Sequence, residues 1–453
     1  MQHDPAGLKF GPFWLTPGIS KLNASTSFYC SWIFVTLVTF LNFVQPVLLE
    51  EILQVPSEQM GRVTGSLNFL HEGTALVLMG VVGALSDRTG RRTLLISGFL
   101  IFGCGFLLFP LADSLAQLFL FRFVCAVGVA IAAVNVIAVM QDYPQNISRG
   151  KWGGTNSFLT SFAILAVSLG LAPLPAMLKG MGYSADLAVR YTFWVGTGIA
   201  VFSALWFRFG LYGGRIGESP ASQIHQPSSR LADAFKTALA GFVDGLKLAR
   251  EKPRLALAFG SAYAARGDMV VLGAFYSLWF VVAGKDQGID AADAARIGGI
   301  SLTALLIANW LWAPVWGIII DRINRVKALC IAMTLATIGY FIIGQVEDPF
   351  NRSVMMTATF ILGIGEISAV MMGNVLFGQE APPASRGAAA GVFSIVGTFG
   401  ILSATVFGGI VFDRFGPGAP FTMMAFVNLI IVIWSLWIIL SGRAGQQPAA
   451  AQA

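Results

Sequence analysis

About twelve apolar stretches of roughly 20 residues follow one another along this chain, separated by short charged turns, and that pattern decides the fold class before any motif is read. A stretch of that length, coiled as a helix, crosses the hydrocarbon core of a bilayer. The spans are expected near 27–49, 61–86, 92–112, 115–141, 152–177, 191–212, 255–284, 296–320, 327–346, 353–378, 387–412 and 419–441. Hydrophobic residues make up 56% of the chain and charged residues 11%, more apolar surface than one soluble core can hide. Lipid is therefore the solvent, and an all-α integral membrane fold is expected, because helices satisfy their own backbone polar groups inside a bilayer.

Charge sets the orientation. About twenty of the 29 Lys and Arg fall in the termini and in turns that would then lie inside, against about seven outside, so both termini are expected in the cytoplasm. The net charge of +6 is spread over short loops that a bilayer would separate, and no nucleic-acid partner is expected. The organisation expected is a cytoplasmic segment 1–26, a six-helix bundle 27–212, a polar central loop 213–254, a second six-helix bundle 255–441 and a cytoplasmic tail 442–453. Within the loop, Leu231, Phe235, Ala238, Phe242, Leu246 and Ala249 recur at helical spacing opposite Asp233, Lys236, Asp244, Lys247 and Arg250, the pattern of an amphipathic surface helix. The first 26 residues lack the apolar core and cleavage site of a signal peptide, so the first span is expected to direct insertion. Cys30, Cys104, Cys125 and Cys330 all lie in apolar runs, where cysteine acts as a small hydrophobe, and neither a disulfide nor a metal site is expected.

Two charged hinges occur twice. Gly83-Ala-Leu-Ser-Asp87-Arg88-Thr-Gly90-Arg91-Arg92 is echoed by Gly317-Ile-Ile-Ile-Asp321-Arg322-Ile-Asn324-Arg325-Val-Lys327. Gln141-Asp142-Tyr-Pro144, ending in Arg149-Gly150, is echoed at nearly the same offset by Gln379-Glu380-Ala-Pro382, ending in Arg386-Gly387. Concordant repeats at matching places in two hydrophobic halves indicate duplicated helical bundles.

These hinges resemble the major facilitator superfamily of secondary transporters, and the likeness covers nearly the whole chain. That family carries G-x-x-x-D-R-x-G-R-R between its second and third helices, and residues 83–92 match every defined position. The resemblance implies a conformational latch of Gly83, Asp87, Arg88, Gly90, Arg91 and Arg92, with Asp87 facing the start of the eleventh helix near Gly387, and a weaker copy at Asp321 and Arg322. Gly90 would permit the tight turn, and Asn324, in the second copy, tolerates the same left-handed backbone. The end of the eleventh span, Gly408-Gly409-Ile-Val-Phe-Asp413-Arg414-Phe-Gly416-Pro417, also resembles the family, and this segment is expected to end the helix at the outer face. Arg122, in Leu118-Phe-Leu-Phe-Arg122-Phe-Val-Cys-Ala126-Val-Gly128, is similar to the fourth-helix arginine of the drug:proton antiporter branch, although Cys125 and Ala126 replace its usual Gln and first Gly. The fifth-helix signature of that branch is only partly present, at Gly170-Leu-Ala172-Pro173.

Ionisable residues inside spans are costly and mark function by default. On the second span lie Asn68, His71 and Glu72; on the seventh Tyr263, Arg266 and Asp268; on the tenth Glu366. The resemblance implies that the first, fourth, seventh and tenth helices line a central cavity. Asn42, Gln45, Arg122, Arg266 or Asp268, and Glu366 would then share one polar space. Glu366, Asp268 and Glu72 are the candidates for proton coupling, since a carboxyl in a low-dielectric interior can load and release a proton. Asn42, Gln45, Asn68, His71, Arg122, Tyr263 and Arg266 are the candidates for substrate binding. A static ion pair of Arg266 with Glu366 or Asp268 is the competing structural expectation.

The function expected is secondary transport of a small organic solute by alternating access in the cytoplasmic (inner) membrane, driven by an ion gradient, with protons and efflux by antiport favoured. Uptake by proton or sodium symport is the alternative, and a transport-inactive membrane sensor on the same fold is the alternative of another class. No catalytic residues and no cofactor are expected, because no nucleophile, base or metal cluster occurs and no G-x-x-x-x-G-K-[ST] loop is present. One chain supplies both halves, so a monomer can work.

Overall fold

The computed structural model describes residues 7–214, 247, 249–381 and 386–443. The helices are α1 (Lys21–Glu51), α2 (Ser57–Thr89), α3 (Arg91–Leu108), α4 (Leu115–Asp142), α5 (Arg149–Ala166), α6 (Leu174–Gly180), α7 (Ala185–Gly210), α8 (Pro253–Asp286), α9 (Ala291–Arg322), α10 (Arg325–Gly344), α11 (Arg352–Glu380), α12 (Arg386–Phe415) and α13 (Ala419–Leu440). A π-helical turn at Val167–Leu171 leads from α5 toward α6, and the two behave as one crossing element. Among the described residues, eleven of the resulting twelve runs are long and apolar enough to span a bilayer. The twelfth is α2, 33 residues long, which Arg62, Asn68, His71, Glu72, Asp87 and Arg88 make more polar than the others. The chain is an all-α integral membrane protein. The one departure is a short hairpin, β1 (Lys9–Phe10) with β2 (Phe13–Trp14), turned at Gly11-Pro12.

The described chain gathers into two compact units, one formed by residues 1–54 and 70–229 and the other by 55–69 and 230–453. In the first unit the core is aromatic: Phe40, Phe102, Phe106, Phe109 and Phe193 are fully shielded, with ring centroids 4.6–6.0 Å apart. Such tilted rings gain from their quadrupoles as well as from burial. In the second unit Leu257, Trp316, Met333, Met372 and Leu376 anchor an aliphatic core. Glycines let its helices meet at backbone distance. A Cβ on Gly65 would collide with the Thr405 carbonyl, and one on Gly409 would sit 2.5 Å from the Gly61 carbonyl, so the first turns of α2 lie directly on α12. Small residues four apart are the usual device for such close helix pairs in membranes.

One local expectation changes. Asn324 does not take a left-handed backbone; at φ −57° it caps α10, its Oδ1 accepting from the Val326 and Lys327 N–H groups at 2.9 and 3.4 Å. The segment 408–417 does end α12, at Phe415 with Gly416 at φ +99°, and Asp413 within it has a further role. Its nearly buried carboxylate accepts from the Gly61 and Arg62 backbone N–H groups at 2.8 and 3.0 Å and from Arg62 Nε at 2.9 Å, fastening the start of α2. The amphipathic helix expected over 231–250 falls, apart from 247, 249 and 250, outside the described residues.

The hinge between α2 and α3 matches its sequence reading at one point. Gly90 holds φ +89°, open to glycine at no steric cost, and α3 begins at the next residue. Arg91 Nε meets Asp142 at 2.5 Å and Arg92 donates to the Arg208 carbonyl at 3.3 Å, so the turn is tied to the ends of α4 and α7. Gly83 lies within α2. Arg322 is the last residue of α9. The side chains of Asp87, Arg88 and Asp321, and the side chains of 386–388, lie outside the described residues.

Candidate functional site

Each unit encloses its own polar interior. In the first unit α4 carries Arg122, whose side chain is wholly shut from solvent and donates from an η nitrogen to Asn42 Oδ1 on α1 at 2.7 Å. Gln45 stands one turn on from Asn42 and so shares its face. It too is fully buried, and among the described residues neither its amide oxygen nor its nitrogen has a hydrogen-bonding partner. From α2, Glu72 and His71 each lie within electrostatic reach of Arg122. His71 is buried with Nδ1 unmatched among the described residues. One helix thus presents a guanidinium to a second helix of amides and a third carrying a carboxylate and an imidazole.

The second unit is of opposite sign. Asp268 on α8 is fully buried, and both its carboxylate oxygens accept from Asn428 Nδ2 on α13 at 3.0 Å. Beside it, Gly267 faces Met424, whose Cε would stand 2.8 Å from a Cβ there. Glu366 on α11 lies in the same interior, within electrostatic reach of Asp268. It is 8% exposed, and its Oε2 is buried with no hydrogen-bonding partner among the described residues. Tyr340 on α10 is fully buried, its hydroxyl likewise unmatched among the described residues, and both carboxyls act on it electrostatically.

Arg266 and Asp268, two residues apart, take different faces of α8, as helical geometry requires. The Arg266 side chain runs along α12 in the space that Gly397 leaves open, where a Cβ would meet Arg266 Cδ at 2.5 Å and Nε at 2.7 Å. The static Arg266 ion pair with Asp268 or Glu366 is absent among the described residues. Tyr263 points its hydroxyl to Ser403 on α12 at 2.6 Å, and Asn68 donates to the Thr64 carbonyl of its own helix at 3.0 Å. The structure brings together Asn42, Arg122, His71 and Glu72 in one unit and Asp268 and Glu366 in the other; Tyr263 and Arg266 lie against α12, and Asn68 bonds the backbone of its own helix.

Sequence reasoning passed over Asn428, Tyr340 and Asn135. The last accepts from Ser86 on α2, their oxygens 2.5 Å apart, and donates to the Ile131 carbonyl at 2.8 Å. The available signal was the same for Asn428 and Asn135: a lone amide in an otherwise apolar span needs a polar partner, and here the partner marks the site.

Eleven membrane-spanning runs among the described residues, duplicated hinges and charged groups sealed inside each unit describe a membrane carrier. The sequence signature of the Major Facilitator Superfamily matches residues 27–307 and 269–453, so the chain belongs to that superfamily. It is 26% identical over 412 residues to the magnetosome protein MamH of Paramagnetospirillum magneticum, covering 89% of each chain. It is 24% identical over 360 residues to the inner membrane transport protein YajR of Escherichia coli, covering 77% of this chain and 70% of YajR. The crystal structure of the nucleoside transporter NupG superposes with a TM-score of 0.66 over 93% of this chain and 99% of that one, at 14% identity, a likeness of fold. The protein is a secondary transporter and not an enzyme.

Proposed function

We propose that the chain couples proton movement to transport of a small polar or anionic organic solute, working by alternating access in the cytoplasmic membrane with both termini inside. The observation that carries this reading is the pair of acidic side chains in the second unit. Asp268 and Glu366 lie in one interior, and among the described residues neither is bonded to a cation. An uncompensated carboxylate out of water costs several kcal/mol, roughly, and taking up a proton removes that charge. The amide that Asn428 offers Asp268 is too weak a partner to replace a cation. Two interior carboxyls that can each be relieved by a proton make a coupling site.

Arg122 in the first unit supports the polar or anionic solute, because a guanidinium suits a carboxylate or phosphate and Gln45 beside it supplies unmatched amide groups. The partial antiporter motif around Arg122 favours export. The inner-membrane placement accords with the name of YajR, an inner membrane transport protein.

The test uses the full chain in proteoliposomes under an imposed pH gradient, with a panel of organic acids, amino acids, sugars and cationic dyes assayed in both directions. Flux of one compound should follow the gradient. Glu366→Gln and Asp268→Asn should each abolish gradient-driven flux while leaving solute-for-solute exchange. Flux indifferent to the pH gradient, or unchanged coupling in both variants, would overturn the reading.

A further inference from the structure

The start of α1 and the turn between α4 and α5 lie at one surface of the bilayer, because all three helices cross it and the amino-terminal hairpin is bonded to that turn. The Trp14 N–H donates to Ser148 Oγ at 2.7 Å, the Thr16 N–H to the Tyr143 carbonyl at 2.8 Å and the Gln145 N–H to the Trp14 carbonyl at 2.8 Å. The antiparallel register pairs Lys9 with Trp14 and Phe10 with Phe13. Successive strand residues point to opposite faces, so the two pairs face opposite ways. Phe13 turns inward and is buried, its ring edge-on to the buried Trp152 at 5.2 Å. Lys9 and Trp14 form the other face, with the Lys9 ammonium over the indole at 5.7 Å.

The surface around that face carries one sign of charge. Lys9, Lys21, Arg149 and Lys151 are all exposed, and residues 7–22 and 143–153 contain no acid. The acid just before the turn, Asp142, is paired with Arg91. Among these cations Leu8, Ile147 and Leu22 are exposed as well, at 44%, 46% and 48%. Beside a bilayer this is the composition of an interfacial anchor, with tryptophan and apolar side chains at headgroup depth and lysines reaching for phosphate. A neutral bilayer would suit the apolar part alone. Cations with no acid among them are complementary to an anionic one.

We propose that the hairpin is a clasp operated by lipid: anionic phospholipid headgroups bind the basic face of Lys9, Lys21, Arg149 and Lys151, and by holding Lys9 down they hold the strap closed on the α4–α5 turn. The contacts are phosphate oxygens on ammonium and guanidinium groups. Lys9 is the group that distinguishes a closed strap from an open one. Lys21 and Arg149 begin α1 and α5, and Lys151 follows in the first turn of α5, so these three stay at the membrane in either state. Lys9 leaves the surface with the strand that carries it. Lipid charge therefore reaches the turn through one side chain, and from Asp142 at the end of α4 it reaches Arg91 and the hinge between α2 and α3.

The experiment compares hydrogen exchange of the full chain in nanodiscs of phosphatidylcholine with nanodiscs of phosphatidylcholine and phosphatidylglycerol in equal parts. Both leaflets then carry the same charge, so the result does not depend on which side of the membrane the strap faces. Phosphatidylglycerol should slow exchange at the Trp14, Thr16 and Gln145 amides about fivefold, the effect of one basic residue at an anionic surface. Lys9→Gln should remove that difference and Lys9→Arg should keep it. Lys285→Gln, at the end of α8 in the other unit, should keep it as well. Equal wild-type exchange in the two bilayers would overturn the proposal, and that comparison needs no variant. So would an undiminished lipid effect in Lys9→Gln. The same slowing in phosphatidylcholine alone on addition of inorganic phosphate would also overturn it, because the face would then take a free anion and not a bilayer.

Discussion

The polar interior of the first unit is built around a cation and that of the second around two acids. Arg122 bonds the Asn42 amide and lies within electrostatic reach of Glu72, while Asp268 and Glu366 have no basic group bonded to them among the described residues. Their turns repeat in sequence, yet their interiors do not. The hinges repeat because both halves must solve the same problem of ending one helix and starting another beside the membrane surface, where proline, glycine and basic residues are the few good answers. Interior charges answer to cargo and coupling ion, and nothing in helix packing asks that they be alike. The difference separates what the duplicated fold needs from what the proposed transport would use, the Arg122 interior for solute and the Asp268 interior for protons.

The comparison breaks most directly at Arg122. Arg122→Met keeps the length of the side chain and removes its charge and its bond to Asn42. Solute affinity should fall by about 10- to 100-fold, which corresponds to the roughly 1.5–3 kcal/mol of a hydrogen bond made by a charged group. Titration of Asp268 and Glu366, read by their carboxyl infrared bands, should be unchanged. Equilibrium binding of whichever solute the liposome panel identifies checks the first part. A variant that binds solute normally but loses proton loading would reverse the assignment of the two interiors.

A smaller effect tests the boundary that runs through α2, whose residues 55–69 group with the second unit and whose residues 70–89 group with the first. Gly65→Ala places a Cβ against the Thr405 carbonyl on α12, whereas Gly73→Ala, on the same helix, meets nothing within 4 Å. Thermal unfolding in detergent should show Gly65→Ala destabilised by about 1–3 kcal/mol through overpacking. Gly73→Ala should be neutral or stabilised by up to about 1 kcal/mol, from helix propensity. Equal behaviour of the two would mean that the start of α2 is not held tightly on α12.

How much of this could be read beforehand depended on whether a residue's role is local. Gly90 was legible because a turn between two helices constrains its own backbone, and the observed φ of +89° satisfies that constraint. The association of Asn42 with Arg122 was legible in outline, since intramembrane polar groups seek each other. The fastening made by Asp413 was not legible for the opposite reason. The segment around it does end its own helix, as its sequence suggests, but the partners of Asp413 are backbone N–H groups about 350 residues away, at Gly61 and Arg62. Asn428 and Tyr340 stayed hidden because one amide or phenol in an apolar span says that a partner exists and not where it is. The hairpin at the amino end carries a turn signal, Gly11-Pro12 between aromatic pairs, but two-residue strands are too short to show an alternating pattern.

That hairpin gives the smallest predicted effect and extends the comparison to the membrane surface. In the second unit, the end of α11 is held by an ion pair, Glu380 to Arg254 at 2.8 Å. In the first, the turn after α4 is gripped by the amino-terminal strap: Leu15 bridges Pro144, Thr16 N–H donates to the Tyr143 carbonyl at 2.8 Å, Gln145 N–H to the Trp14 carbonyl at 2.8 Å, and Trp14 N–H to Ser148 Oγ at 2.7 Å. Tyr143 is buried beneath it, and that burial pushes its phenol above the usual range even as its oxygen accepts from the Tyr212 N–H at 3.0 Å. Phe13, Phe28 and Trp152 close the contact with centroids 4.1–6.0 Å apart. Ser148→Ala removes one hydrogen bond and leaves the ring packing, so the strap should open more readily by about 1 kcal/mol, seen as roughly fivefold faster hydrogen exchange at residues 13–16. The unfolding temperature of the whole chain should barely move, because the strap is a local unit. Unchanged exchange at Trp14 would show that the backbone ladder to 143–145 holds the strap alone; a fall in global stability would show instead that this turn is as deeply built into its unit as Asp268 is into the other.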